Sequence, residues 1–468
     1  MADEIRFGTD GWRAVIADTF TYANVRRIAE AAGRVFASES PGCSVIVGYD
    51  TRFEAGSFAS AAAEVLAAHG LHVTLSDRAV PTPTLSWATD RSDAAFGVML
   101  TASHNPAEWC GFKIKTSDGG SAPAELTKRV EAEMPDEPPA SRGDYETRDI
   151  VTAYVEDLKS LVDGEAIRAA GLRVVVDPLF GAGQAFLAGA LTDLGCEVVE
   201  LHGEPNPGFG GLHPEPIPPW VDEASALARD GEFDAGFFTD GDADRIGACD
   251  SFGEFVDSHR IFSLVLRHLV EDKGRRGTVV KTLTTSVMLD RLCRHFGLTC
   301  ETTPVGFKYI YEKMVATDVL IGGEESGGIG VPSHLRERDG LYMALLLTEM
   351  MATSGKGLDE LLRDLFDLVG RMEYGRVDLR LDEGVVSALR AKLPGVAPSG
   401  VAGRPVLSVD RTEGVKLWFE DDAWLMLRVS GTEPLARVYA EAPTREQVDE
   451  LLRAGRSLVL GEETRSVR

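Results

Sequence analysis

Three stretches of this chain repeat one local design, and that design limits the fold more than composition does. Each is a short run of β-branched residues, then a turn rich in Gly, Asp or Thr, then a helix-like stretch. They are Ser44-Val-Ile-Val-Gly-Tyr-Asp-Thr-Arg52, Arg173-Val-Val-Val-Asp-Pro-Leu-Phe-Gly-Ala-Gly183 and Thr278-Val-Val-Lys-Thr-Leu-Thr-Thr285. Unbroken Val/Ile runs suit strands buried on both faces of a parallel sheet, and ligand groups gather where such strands end. The pattern predicts three α/β domains of similar build, one starting near each unit. Any α/β protein contains several such strands, so spacing alone leaves a true repeat open.

Shifts in composition mark the domain edges. The Pro-rich, polar stretch Glu133–Ala140 precedes a helical pattern that starts near Thr152. Ser251-Phe-Gly-Glu254 reads as a turn between two apolar strands, and a third change falls around Val369-Gly-Arg371. Together these place domains at 1–145, 146–252, 253–368 and 369–468, in keeping with a chain of 468 residues. Within the last, Gly375–Leu381, Val406–Val409, Gly414–Phe419 and Trp424–Val429 read as short strands, and Arg445–Leu460 reads as a helix. The tail is therefore expected to be a smaller α+β domain.

Charge narrows the partners. Lys and Arg number 48 against 74 Asp and Glu, a net charge of −26. Such a chain repels a phosphate backbone at long range, which argues against nucleic acid. A small anionic substrate would need a local cluster of Arg and Lys inside the acidic shell. The six cysteines include no C-x-x-C pair, so neither a zinc site nor a disulfide framework is indicated. Met1–Trp12 is acidic and lacks the apolar stretch of a signal peptide, and runs such as Met343–Leu347 fall short of the ~20 residues that cross a bilayer. A cytoplasmic protein without a membrane partner is the expectation.

Four short segments, one per expected domain, carry chemistry. Thr101-Ala-Ser-His-Asn-Pro106 follows the apolar run Phe96–Leu100. Ser103, flanked by His104 and Asn105 at a strand end, has the surroundings of a nucleophile. The same residues also suit a turn with a hydroxyl cap. Lys113, ten residues on, is a candidate cation or proton donor for that site. In Thr239-Asp-Gly-Asp-Ala-Asp-Arg245 three carboxylates alternate, and an extended loop would put Asp240, Asp242 and Asp244 on one side. Crowded anions repel unless a cation joins them, and hard oxygens suit Mg²⁺ or Ca²⁺. An EF-hand loop is excluded, because its Gly and Glu positions hold Arg245 and Ser251.

The third segment, Gly322-Gly-Glu-Glu-Ser-Gly-Gly328, combines a backbone that a ligand can approach with Glu324 and Ser326 as partners for sugar hydroxyls. Upstream, Pro304-Val-Gly-Phe-Lys308 adds a cation, Lys308, in a turn. In the fourth, Arg428-Val-Ser-Gly-Thr-Glu-Pro434 with Arg437 beyond it, an Arg, two hydroxyls and an exposed N–H suit a phosphate cradle. An exposed polar turn would look the same. No Walker motif is present, so a nucleoside triphosphate is not implied.

The ordered set, with the opening Phe7-Gly-Thr-Asp-Gly-Trp-Arg13, resembles the α-D-phosphohexomutase superfamily along nearly the whole chain. That resemblance implies four domains around a central cleft, three mixed α/β and a smaller C-terminal α+β one. It implies a phosphoserine at Ser103, and Mg²⁺ held by Asp240, Asp242, Asp244 and a phosphoryl oxygen on that serine. It places Arg13, Lys113 and Arg245 in the cleft, with His104 beside the serine. Glu324 and Ser326 would face the sugar hydroxyls, with Lys308 nearby. Arg428, Ser430, Gly431 and Thr432 would hold the non-reacting phosphate, and Arg437, beyond them in the chain, is a candidate for the same group. Two positions depart from the family's pattern: Gly328 stands where many members have His, and Ala243 where many have Gly.

The function this implies is interconversion of glucose 1-phosphate and glucose 6-phosphate, with glucose 1,6-bisphosphate as intermediate and activator. Phosphomannomutase or phosphoglucosamine mutase activity is the alternative within the class. A sugar-phosphate-binding protein without turnover, or a phosphatase, would be a different class. Sugar phosphates are the expected partners, and a monomer or homodimer the expected assembly.

Overall fold

The computed structural model describes residues 4–8, 10–429 and 435–461. These divide into two compact units, one built from 1–278 with 307–362 and the other from 279–306 with 363–468.

The first unit opens with a six-stranded sheet. Its strands are β1 (Trp12–Val15), β2 (Ser44–Tyr49), β3 (His72–Ser76), β4 (Ala94–Leu100), β5 (Trp109–Thr116) and β6 (Glu146–Arg148), in the order β1-β5-β4-β2-β3-β6. The β2 pairs with β3 and β4 are parallel, and β5 turns back antiparallel to β4. Helix Tyr22–Glu39 shows why the sheet is covered. Thr21 caps its first turn by accepting the Asn24 N–H, and Val25, Ile28, Ala29, Ala32, Val35 and Phe36 recur at helical spacing and are all buried. Phe36 stacks on Phe96 of β4, their ring centroids 3.8 Å apart.

A second sheet follows, made of β7 (Arg173–Asp177), β8 (Glu197–Glu200), β9 (Ala235–Thr239), β10 (Ile246–Asp250) and β11 (Phe255–Val256), in the order β11-β10-β9-β7-β8. Val174, Val175 and Val176 are buried, as the unbroken Val run requires. Residues 251–254 form the turn of the β10–β11 hairpin, so position 252 lies inside one sheet. The strands Val319–Gly323 and Ile329–Gly330 pair antiparallel in the same unit.

In the second unit, Val279 to Thr282 of the strand Thr278–Thr282 pair in parallel with Cys300–Thr303. Five antiparallel strands follow, in the order Glu373–Arg380, Leu435–Ala442, Trp424–Val429, Val415–Trp418 and Ser408–Asp410. Helix Arg445–Leu460 buries Val448 and Leu451 in the core of that unit. Among the described residues, no helix is long and apolar enough to cross a membrane.

Candidate active site

The chain leaves β4 at Leu100 and turns back sharply. Ser103 has φ 54°, a left-handed backbone that costs a non-glycine residue about 1–2 kcal/mol. It is 1% exposed. Its N–H donates to Thr101 Oγ1 at 2.9 Å, and its Oγ donates to Asp240 Oδ2 at 2.9 Å. The Nδ1 atom of His104 lies 3.5 Å from the same Oγ.

Asp240 follows the end of β9, and the chain reverses before β10. The three carboxylates meet differently from the expected extended loop. The Ala243 N–H donates to the Asp240 carbonyl at 3.0 Å, and Ala243 takes φ 58°, so a tight turn gathers them. Glycine takes that conformation without strain, and Ala243 holds it at a cost. Gly241 allows the two loops to touch, since a Cβ there would lie 2.4 Å from the Ser103 carbonyl oxygen.

All three aspartates are fully buried. Asp240 Oδ1 accepts the Arg245 N–H at 3.1 Å. Asp242 Oδ2 accepts from Thr82 Oγ1 at 2.7 Å and from Lys113 Nζ at 3.0 Å. Asp244 Oδ2 is 2.8 Å from Arg338 Nη2. Burial, then mutual repulsion, pushes the Asp240 carboxyl well above its ordinary value, and burial also raises that of Asp244. Burial works the same way on Asp242, but Lys113 and the Thr82 hydroxyl outweigh it and hold that carboxyl low.

These residues fit a divalent cation. One oxygen from each carboxylate lies within 4.8 Å of the others. Asp242 Oδ1 and Asp244 Oδ1 are buried and accept no hydrogen bond among the described residues. Buried acceptors without partners are costly, and a hard cation is the partner that oxygen ligands suit.

Cations ring the turn. Lys113, on β5 and 1% exposed, places Nζ 2.9 Å from Asp10 Oδ2 as well as 3.0 Å from Asp242. Burial opposes its charge, yet Asp10 and Asp242 prevail and raise the ammonium above its ordinary value. Arg13 donates to Asn105 Oδ1 at 2.6 Å and lies 3.8 Å from Asp10. Arg245 reaches Glu215 Oε1 at 3.6 Å and Asp240 Oδ2 at 3.9 Å.

The glycine-rich loop is pinned beside this turn, because the Ile246 N–H donates to the Gly327 carbonyl at 3.1 Å. Glu324, 7% exposed, lies in this loop with Ser326. The departure at Gly328 has a steric cause. A Cβ there would meet Arg338 Cδ at 2.4 Å, so the Arg338 side chain fills the space a histidine would need. Arg338 also binds Asp10 at 3.0 Å and Asp244 at 2.8 Å, and its Nη1 stands 3.9 Å from Glu324 Oε2.

The sequence reading missed Arg338 and Arg52: besides a near neighbour each (Glu337 and Asp50), their partners at the site lie far along the chain. A buried-charge signal was available only as Arg338-Asp339 ahead of the helix Gly340–Ser354, too common a pattern to read. Lys308 is not drawn in: it heads the helix Phe307–Ala316 with its amine over the Tyr309 ring, and no described contact ties it to the aspartates.

In the second unit Arg428 and Arg437 stand directly opposite on adjacent strands. Arg428 pairs with Glu413, and Arg437 Nε lies 3.5 Å from Asp378 Oδ2. Ser430, Gly431 and Thr432 lie outside the described residues.

The architecture and this cluster have known counterparts. Models of the phosphoglucomutase/phosphomannomutase α/β/α domains I, II and III match residues 4–140, 152–253 and 257–369, and the C-terminal domain model matches 387–454. The chain belongs to the phosphoglucomutase/phosphomannomutase family, with three α/β domains and a C-terminal domain. It is a phosphohexomutase, an isomerase that moves a phosphoryl group within a sugar phosphate.

Among its relatives is a phosphoglucomutase/phosphomannomutase of Thermococcus kodakarensis, 32% identical over 97% of this chain and 98% of that one. A phosphoglucosamine mutase of Halorhodospira halophila is 34% identical over 96% of both. A crystal structure from Thermus thermophilus, solved as a candidate phosphomannomutase, superposes with a TM-score of 0.90 at 40% identity, covering 98% of this chain and all of that one.

Proposed function

We propose that the enzyme interconverts glucose 1-phosphate and glucose 6-phosphate, with Ser103 as the phosphoryl carrier. The observation that carries this reading is the 2.9 Å contact between Ser103 Oγ and Asp240, in a buried ring of three carboxylates and several cations. Phospho-Ser103 gives its group to the 6-hydroxyl: a new O–P bond forms, the Oγ–P bond breaks, and the proton lost by the 6-hydroxyl ends on the leaving Ser103 Oγ. The glucose 1,6-bisphosphate then turns, and its 1-phosphate returns to Ser103. Asp240, Asp242 and Asp244 would hold Mg²⁺, which when bound supplies Lewis-acid stabilisation of phosphoryl charge. Lys113, kept protonated by Asp10 and Asp242, neutralises charge on the same group. Arg13 and Arg245 bracket it, and Glu324 and Ser326 take sugar hydroxyls. Arg428, Ser430, Gly431, Thr432 and Arg437 are assigned to the non-reacting phosphate. Phosphoryl transfer requires mainly such positioning and neutralisation.

The choice of sugar rests on Gly328. With Arg338 in the place of an imidazole, the loop lacks a ring that could serve an axial 2-hydroxyl, which favours glucose over mannose. An unmatched hydroxyl costs about 1–3 kcal/mol, so a preference of roughly tenfold or more in kcat/KM is expected. The names of several relatives favour a second reading, glucosamine phosphate. Assaying glucose, mannose and glucosamine 1-phosphates in parallel, with Ser103→Ala as control, separates them. Equal efficiency on mannose, or preference for glucosamine phosphate, overturns the sugar assignment. Near-normal turnover by Ser103→Ala overturns the phosphoserine.

A further inference from the structure

We infer that Arg52 is the positioning residue that holds the serine loop against the carboxylate turn, an inference that rests on Ser103 carrying the phosphoryl group. Arg52 stands just beyond β2, in the turn of the first strand-turn-helix unit, with no exposed side-chain surface. Its Nε donates to Asp50 Oδ2 at 3.0 Å. Nη1 donates to the carbonyls of Pro106 at 2.7 Å and Trp109 at 2.9 Å. Nη2 donates to those of Ser103 and Asn105, each at 2.6 Å. A guanidinium has five N–H donors in one rigid plane, and here all five are engaged.

Four of the five bind backbone carbonyls, three in the serine loop and the fourth at Trp109, where β5 begins. Carbonyl oxygens aimed at one spot repel each other, so the loop keeps this shape only around a fixed cation. The ring of Phe209 lies under the guanidinium, 4.9 Å from its carbon. A second link closes on the same residue: Asp50 Oδ2 accepts from Thr101 Oγ1 at 2.6 Å, and Thr101 Oγ1 accepts the Ser103 N–H. Both polar groups of the strained Ser103 backbone are thus tied to Arg52, one directly and one through Asp50 and Thr101. The carbonyl Arg52 holds is the one that abuts Gly241 of the carboxylate turn. Arg52 therefore sets where Oγ stands relative to Asp240 by fixing the N–H and the carbonyl of Ser103.

Arg52→Lys keeps the charge and loses the planar fork. Compared with wild type, it is expected to melt within a few degrees and to keep KM for glucose 1-phosphate within about threefold. Its kcat should fall about 100-fold, since displacement of a reacting group by about 1 Å costs that much. Labelling of Ser103 from glucose 1,6-bisphosphate, read by peptide mass, should slow in proportion. A kcat within threefold of wild type overturns the inference. So does a fall in kcat accompanied by a matching rise in KM and a lowered melting temperature, which marks a merely structural role.

If Arg52→Lys does not fold, Thr101→Val decides. It should lower kcat about tenfold at unchanged KM, with Thr101→Ser restoring it, and no effect sinks the proposal. Wild-type enzyme that takes up no phosphate on Ser103 removes the phosphoserine reading and this inference with it. Labelled wild type with an equally active Arg52→Lys removes this inference alone.

Discussion

Two lysines with almost no exposed surface, one in each compact unit, have opposite surroundings. Lys113 lies among acids, 2.9 Å from Asp10 and 3.0 Å from Asp242, and its ammonium is held above the ordinary value. Lys416 lies between indoles, its Nζ 3.8 Å from the Trp424 ring centroid and 4.4 Å from that of Trp418, and donates to the Leu283 carbonyl at 2.6 Å. Burial first, and then repulsion from Lys281, pushes that amine down to about 7. A low-dielectric interior strips charge from a lysine unless carboxylates are placed to keep it. The aspartates around Lys113 therefore have two effects: they gather at a point suited to a divalent cation, and they keep the neighbouring amine charged for an anionic substrate.

Removing the metal should break this contrast most severely. Excess chelator is expected to abolish mutase turnover, and added Mg²⁺ to restore it, because Asp242 Oδ1 and Asp244 Oδ1, which accept no hydrogen bond among the described residues, then have no partner and the transferring phosphoryl group has no Lewis acid. Full activity in chelator would detach the aspartates from metal binding.

Lys113→Met comes next. Loss of a preorganised cation facing a transferring phosphoryl group is expected to lower kcat/KM by about 10²–10³-fold, a magnitude typical of one electrostatic group. A melting curve would also fall, since Asp10 and Asp242 lose a buried partner. Unchanged kcat/KM would reduce Lys113 to a structural counter-ion.

The smallest effect sharpens the other side. Unfolded, Lys416 keeps its proton up to about 10.5; folded, only to about 7. Between those limits the unfolded chain binds more protons, so the folded state gains stability as pH rises, by about 1.4 kcal/mol per unit at most. Lys416→Met lacks this slope. Its stability relative to wild type should therefore fall by about 2–3 kcal/mol between pH 6 and pH 9, measured by urea unfolding at each pH. A flat difference would show that Lys416 stays charged as Lys113 does.

Much of this was legible from residue order. The three Val/Ile runs at Ser44, Arg173 and Thr278 each became a strand, and Arg445–Leu460 is a helix as the periodicity implied. Ser103 and the three aspartates were readable because chemistry-bearing residues cluster within a few positions of each other. What stayed hidden depends on contacts between distant segments. Arg52 binds carbonyls more than fifty residues ahead, and an arginine after a strand carries no mark of that. Gly328 could be noted as a departure, but its cause, Arg338, stands ten residues on and shows only in three dimensions. The aspartates were expected on an extended loop because alternate spacing suggests one. The left-handed backbone at Ala243 is a conformation that sequence assigns to glycine or asparagine, not alanine.

The contact at Gly241 has a consequence for how such a chain can change over generations. The methyl of alanine is the smallest possible addition, and even that would be driven into the Ser103 carbonyl 2.4 Å away. A flank of the carboxylate turn can carry a side chain even in a left-handed conformation, as Ala243 does. Position 241 is different: every step away from glycine separates the hydroxyl from the carboxylates in a single mutation, leaving no neutral route through it.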